Sequence, residues 1–379
     1  MSEAQALVRL GVDELASAPQ GLKALHLAIA QRAFDGVGPA ARPVQAVHDA
    51  VSGAVYGGLG YATRFGGRAL EAAIGRRYTQ RLSESPGGAA VIAIAHGLIG
   101  DTLEEEQNPL AQPMAIRVDG APVGVEAFAD ATPRVAVFLH GLMETEFGWG
   151  RRPNYGTRLA EDRGWTPVHV RYNSGRRISE NGRSLSELLE AAVAAWPVQV
   201  EQVALVGHSM GGLVARSAAH RAAEDGAGWV GRVTHVVSLG TPHRGAPLEE
   251  IVHLGSAALD LLPETRPMSR FLRRRSGGIR DLRRGSLVDE DWKDRDPDAL
   301  RATACKEIPL LDGATHCFVS ASLTRSPKNP LGRLVGDMLV LSSSAAPWRD
   351  QEAFHLAGAG HFALLNHPDV YARLRDWLS

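Results

Sequence analysis

Cysteine is scarce in this chain. Its 379 residues include two, Cys305 and Cys317, at no metal-ligand or redox spacing. That excludes a disulfide framework and a thiolate metal cage, and makes a reducing cytoplasm the simplest compartment. An excess of charge of one sign is also missing. Lys and Arg total 41 against 42 Asp and Glu, a net charge of −1, so no global field selects nucleic acid or an anionic membrane. No unbroken run of about 18 apolar residues occurs, so no membrane-spanning helix is expected. The N-terminal Met1-Ser2-Glu3-Ala4-Gln5 stretch has no basic segment followed by an apolar one, so no secretory signal is expected either. Acidic residues at the spacing of a calcium loop are absent, and no metal or other cofactor is expected.

What is present is ordinary in bulk and unusual in one place. A hydrophobic fraction of 44% and a charged fraction of 22% fit a soluble globular protein with one large domain and additions, or two domains. The unusual place is Val203-Ala204-Leu205-Val206-Gly207-His208-Ser209-Met210-Gly211-Gly212-Leu213. An apolar run leads into a glycine-flanked serine, and a helix-friendly segment follows through Ala219. Gly207-x-Ser209-x-Gly211 is the nucleophile-elbow pattern. The serine must sit in a strained turn for its hydroxyl to leave the sheet, and the positions two before and two after it must be small. The bland reading is a glycine-rich strand-to-helix connection with an inert serine. The strand before it and the helix after it argue against that.

The rest of the chain supplies a setting for this turn. Residues 1–110 are rich in Ala, Gly and Arg, with apolar residues at helical spacing, and read as a helical accessory region. One of its helices covers Ala89 to Ala95 and ends near Gly97. Residues 111–379 read as strands alternating with helices, which means a mostly parallel sheet covered on both faces. Asp119-Gly120 marks a hairpin between Pro113–Val118 and Val123–Ala127. Further strands are expected at Arg134–Leu139, Thr166–Tyr172, the elbow, Val233–Leu239, Thr315–Ala321 and Ala353–Leu356. Helices are expected at Tyr155–Asp162, at Ser184–Trp196 behind a Ser184-to-Glu187 capping box, and at Pro368–Leu378. Residues from about 246 to 312 break the alternation and read as a cap or lid insertion. There an arginine cluster (Arg270 to Arg284) is followed by an acidic one (Asp289 to Asp298), two charge runs that neutralise each other on a solvated surface.

A serine hydroxyl needs a base, and the base needs a partner that holds its tautomer. In this order of motifs the acid and then the histidine follow the serine. His361, on the Gly358-Ala359-Gly360 turn after the last strand, is the candidate base, with His243, His355 and His367 as alternatives. Asp337, after Gly336, is the candidate acid, with Asp312 and Asp350 as alternatives. An oxyanion hole needs two backbone N–H groups, expected from Met210 and from Leu142, which follows His140-Gly141. Met143, His208 and His243 are expected to line the substrate pocket.

His140-Gly141-Leu142, Gly207-His208-Ser209-Met210-Gly211-Gly212, Gly336-Asp337 and Gly360-His361 together resemble the α/β-hydrolase superfamily in its serine lipase/esterase branch. Leu239-Gly240-Thr241-Pro242-His243-Arg244-Gly245 is similar to a segment of bacterial triacylglycerol lipases and GPI inositol-deacylase-like proteins. Met338 departs from the glycine that many such lipases have after the aspartate. The resemblance implies an α/β-hydrolase fold and a Ser-His-Asp triad that cleaves carboxylic esters through an acyl-enzyme. It also implies a lipid-like or medium-chain ester as substrate, with peripheral lipid contact. The same triad serves acyltransferases, thioesterases and amidases, and a binding protein would keep the sheet without the chemistry. An aspartate-nucleophile hydrolase is excluded by Ser209.

Overall fold

The computed structural model describes residues 1–10, 12, 42, 45, 49, 81–151, 154–245, 276–295, 305–323, 340, 342–345, 348 and 351–379. The chain divides into two compact units. One comprises Met1–Leu82, Asn108–Leu110 and Ile251–Arg274; the other comprises Ser83–Gln107, Ala111–Glu250 and Arg275–Ser379. In the first, residues 3–10 are helical. Ser2 Oγ accepts the Gln5 N–H at 3.2 Å and Gln5 Oε1 accepts the Ser2 N–H at 2.8 Å, a reciprocal cap for that helix. Asp337 and Asp350, and residues 246–275 and 296–304 of the expected cap insertion, lie outside the described residues.

The second unit is built on an eight-stranded sheet. Its strands are β1 (Ala115–Val118), β2 (Ala121–Pro122), β3 (Arg134–Leu139), β4 (Thr166–Arg171), β5 (Gln202–His208), β6 (Val233–Leu239), β7 (Thr315–Ser322) and β8 (Glu352–Ala357). The order across the sheet is β2-β1-β4-β3-β5-β6-β7-β8. β1 runs antiparallel to β2 and β4, and the other neighbours are parallel. The Asp119-Gly120 turn has positive φ at both residues (49° and 85°), as a tight hairpin demands. The return strand is short. Val125–Ala127, expected to extend it, forms a 3-10 turn instead.

Val135–Leu139 of β3 and Val203–Val206 of β5 are continuous apolar runs because both faces are covered. Val137 and Leu139 join the apolar cluster on one side, Ala136 and Phe138 the cluster on the other. From β3 the chain steps outward to β4, then crosses back to β5 on the opposite flank of β3. That reversal opens a crevice beyond the carboxyl ends of β3 and β5, where open α/β sheets place their ligands. This strand order, with helices on both faces, is the α/β-hydrolase fold.

Among the described residues the longer helices of this unit are α1 (Pro86–Glu105), α2 (Tyr155–Arg163), α3 (Ile178–Ala194), α4 (Met210–Asp225), α5 (Gly277–Arg284) and α6 (Pro368–Trp377), with a single turn at Ser342–Ala345. α3 and α4 pack Leu185, Leu189, Leu213, Val214 and Ala218 into one apolar cluster. Gly182 lets them approach, since a Cβ there would strike the Ser217 side chain. α3 starts six residues before the expected Ser184 cap. Asp281 of α5 accepts the Ile178 N–H at 2.9 Å and pairs with Arg177 at 2.7 Å, and the Arg177 N–H reaches Glu180 at 3.2 Å. Partners a hundred residues away cap this helix, so no local signal marks its start.

α1 runs beyond Gly97, where the sequence pattern ended it. It bends at Ile99 (φ −143°) and continues to Glu105. Gly97 and Gly100 are there for close approach, because a Cβ at either would strike Met143 or Asn173. α1 is long and apolar enough to cross a membrane by length and composition alone, a helix that the sequence reading did not expect. Here Ala89, Ile92, Ala93, Gly97 and Gly100 are buried. The Gly100 carbonyl accepts from Asn173 at 2.8 Å, and the Gly97 carbonyl accepts from Ser276 at 2.6 Å.

Asp289 and Glu290 of the expected acidic run form their ion pairs outside the arginine run. Asp289 pairs with Arg183 and Lys293, and Glu290 pairs with Lys306. Asp291 is buried and accepts the Leu287 and Lys306 N–H groups at 3.0 and 2.7 Å.

Candidate active site

Ser209 stands between β5 and α4 at φ 52°, ψ −121°, a strained conformation for a residue with a Cβ. Its N–H donates to the Leu239 carbonyl at 2.8 Å, which ties the turn to β6. The small neighbours are obligatory. A Cβ on Gly207 would fall on the Gly212 backbone, and one on Gly211 would fall on the Leu139 and His140 carbonyls.

The loop after β3 lies directly over the elbow. A Cβ on Gly141 would be 3.0 Å from Ser209 Cβ. Met210, in the first turn of α4, and Leu142, next to Gly141, carry N–H groups with no partner among the described residues. Two unpaired donors therefore belong to the elbow and to the loop that lies over it. The loop itself is fixed by His140, whose Nε2 accepts the Tyr172 N–H at 3.2 Å while Nδ1 donates to the Gly141 carbonyl at 2.8 Å. The Tyr172 hydroxyl returns to the His140 carbonyl at 2.6 Å, and the two rings stack at 4.2 Å. Burial pushes the His140 imidazole below its ordinary range, in keeping with that single-proton arrangement.

His361 opens a 3-10 turn, His361–Leu365, after β8 and a Gly358 at φ 75°. It is buried beside the elbow. Its ring centroid lies 4.7 Å from that of His208, and a Cβ on Gly240 would be 3.0 Å from its Cε1. The other histidines are engaged elsewhere. His355 lies between the Ser320 and Ser322 hydroxyls at 2.9 and 3.0 Å, and His367 accepts the Asp369 N–H at 3.2 Å as the cap of α6. Asp312 is exposed before β7, at the sheet edge away from the elbow.

Met143 has φ 58°, donates its N–H to Ser174 at 3.2 Å and packs its side chain on Gly97 of α1. His243 turns into a buried group with Arg216, whose Nη1 is 3.2 Å from His243 Nδ1. The Phe318 and Trp348 rings each lie 5.2 Å from it. Burial, then the neighbouring Arg216 and His316, push the His243 imidazole well below its usual range. Arg216 has no carboxylate partner among the described residues, and burial lowers it to about 10.

Sequence reasoning passed over Glu144. Its Oε2 accepts both the Gly141 N–H and His208 Nδ1–H, each at 2.9 Å. The available signal was an acid three residues after Gly141, together with a histidine in the elbow. Burial alone would raise this carboxyl, but the charge and bond of His208 and the Gly141 N–H hold it down at about 2, against an ordinary 4.5. A depressed carboxylate stabilises the fold above its unfolded value and loses that contribution as pH falls. Between pH 4.5 and 2 the native protein should therefore lose about 3 kcal/mol through this group, a loss that Glu144→Gln lacks. Urea midpoints of both proteins at pH 5 and pH 2.5 check this. Equal falls in the two would refute it.

Residues 172–259 match the family described as PGAP1-like alpha/beta domain. No curated protein matches the chain. Among solved structures it is similar to the Bacillus licheniformis lipase BlEst2 in mature form, at 18% identity over 71% of this chain and 99% of that one, with a TM-score of 0.47. It is also similar to the Pyrobaculum calidifontis esterase (13% identity, 79% and 94% covered, TM-score 0.41). A third is phospholipase PlaB from Legionella pneumophila (14%, 66% and 60%, 0.42). The PGAP1-like match begins just after β4 and carries the elbow, β6 and the Gly240–Gly245 loop, so a PGAP1-like segment lies at the centre of a sheet whose strand order is that of the α/β-hydrolase fold.

Proposed function

We propose that the protein is a serine hydrolase acting on carboxylic esters. The observation that carries this reading is the serine itself. It is held in a strained turn at the sheet's switch point, under the Gly141 loop, with the buried His361 ring packed on His208, the residue before it. Ser209 Oγ attacks the ester carbonyl while His361 takes its proton. The carbonyl oxygen, now an oxyanion, receives the Leu142 and Met210 N–H groups. His361 returns the proton to the leaving alcohol, and water then cleaves the acyl-enzyme by the same steps in reverse order. Asp337 is the acid proposed to orient His361. The substrate proposed is a lipid-like or medium-chain ester.

The test is hydrolysis of p-nitrophenyl esters of rising acyl length, run beside fluorophosphonate labelling located by peptide mass. Turnover with label on Ser209 supports the reading, and the chain-length profile sizes the acyl pocket. Label without ester turnover redirects the search to amides, thioesters or acyl acceptors. Neither label nor turnover of any ester would sink the catalytic reading.

A further inference from the structure

Three parts of the site come from distant stretches of chain: the loop at Gly141–Leu142, the elbow at Ser209 and the turn at His361. Direct pairing of β3 with β5 sets the first two side by side, and side chains link them to each other's loops and to the third. One carboxylate oxygen and one imidazole span all three. Glu144 Oε2 holds the Gly141 N–H, and so fixes the peptide that precedes the Leu142 donor. The same oxygen holds Nδ1–H of His208, the residue before the nucleophile. A carboxylate only accepts, so Nδ1–H is the donor in this bond, and a carbonyl likewise takes its hydrogen from Nε2. His208 Nε2 faces the His361 carbonyl at 3.4 Å, and the two rings lie against each other at 4.7 Å. The His208 ring is fully buried, with the Trp149 ring edge-on at 6.4 Å and the Phe362 ring at 6.2 Å closing it in.

We infer that Glu144 and His208 are a positioning pair that sets the oxyanion donor, the nucleophile and the base at one mutual distance. The inference rests on the reading of Ser209 as nucleophile. It also accounts for a carboxylate placed beside a site where negative charge develops. Unpaired, that carboxylate would repel the oxyanion; bonded to His208 it holds the donor loop at little electrostatic cost. Neither residue touches the reacting atoms. Their effect is geometric, and displacing a donor or a base by about 1 Å slows such reactions by about 100-fold.

The experiment measures the second-order rate constant for fluorophosphonate labelling of Ser209, which needs no knowledge of the natural substrate. Folding of each variant is checked by circular dichroism, and rates are expressed per labelled site. Glu144→Ala removes both bonds and is expected to slow labelling at least about 30-fold. Glu144→Gln can present its carbonyl oxygen where Oε2 sits, accept both bonds, and stay within about fivefold of wild type. His208→Asn keeps a donor towards Glu144 and loses the arm to His361; it is expected to slow labelling at least about tenfold. This variant carries the test if Glu144→Ala fails to fold. The double variant is expected to be no slower than Glu144→Ala alone, because the two act as one unit. Folded Glu144→Ala or His208→Asn protein labelled within about twofold of wild type would overturn the inference. Absence of label from wild-type Ser209 would instead overturn the nucleophile reading, and this inference with it.

Discussion

With Ser209 replaced by alanine, ester turnover is expected to fall by roughly 10⁴-fold or more in kcat while the protein stays folded. Alanine removes one oxygen from a side chain that is 8% exposed, and it leaves the elbow's φ of 52° and its bond to Leu239 in place. The cost therefore falls on the chemistry. Ser209 is the residue of the elbow over which the Gly141 loop lies, and His361 packs on the neighbouring His208. The Leu142 and Met210 N–H groups survive the substitution, so a residual acceleration of about 10³-fold over water is expected from them and from substrate binding. KM should change little. Turnover by the variant above about a hundredth of the wild-type rate would mean that another group attacks the ester.

The largest expected loss of stability follows Glu146→Ala. Arg171, the last residue of β4, is 5% exposed, and Glu146 is 7% exposed. Arg171 Nε donates to Glu146 Oε2 at 2.6 Å, Nη2 bonds Oε1, and Nη1 donates to the Ser83 carbonyl at 2.6 Å. Removing the carboxylate leaves a buried guanidinium with one carbonyl partner and the Phe147 ring at 5.6 Å. A buried charge stripped of its partner costs about 3–5 kcal/mol, which urea denaturation at pH 7 would read. Replacing both residues by apolar ones of similar volume, as in Glu146→Leu with Arg171→Met, is expected to recover most of that loss. A loss below about 1 kcal/mol for Glu146→Ala would show that water or a shifted backbone takes over the carboxylate's role.

What the sequence made legible follows from how each element is specified. β3 and β6 occupy the residues expected of them; for β3 this is because a strand buried on both faces is written as a continuous apolar run. The elbow was legible because its glycines answer a local steric demand. The start of α3 was not, since Asp281 supplies the cap from another part of the chain. The extent of α1 was not, since Gly97 reads as a stop and is used for contact with Met143. Glu144 was passed over for a similar reason: its role exists only once β3 and β5 lie side by side. The two charge runs looked self-neutralising by proximity in sequence, yet Asp289 found its arginine on α3. Asp337 and most of residues 1–80 fall outside the described residues, where the sequence reading stands as expectation.

The conformation of Ser209 sets a conflict for anyone who evolves this chain. Its backbone at φ 52°, ψ −121° costs a side-chain-bearing residue roughly 1–3 kcal/mol. Glycine meets that geometry without the steric penalty. A variant library sorted on heat resistance alone would therefore enrich glycine at position 209 and return proteins that fold better and hydrolyse nothing. Thermal tolerance and catalysis pull this single position in opposite directions, so any hardening of the scaffold has to be gated on turnover in every round.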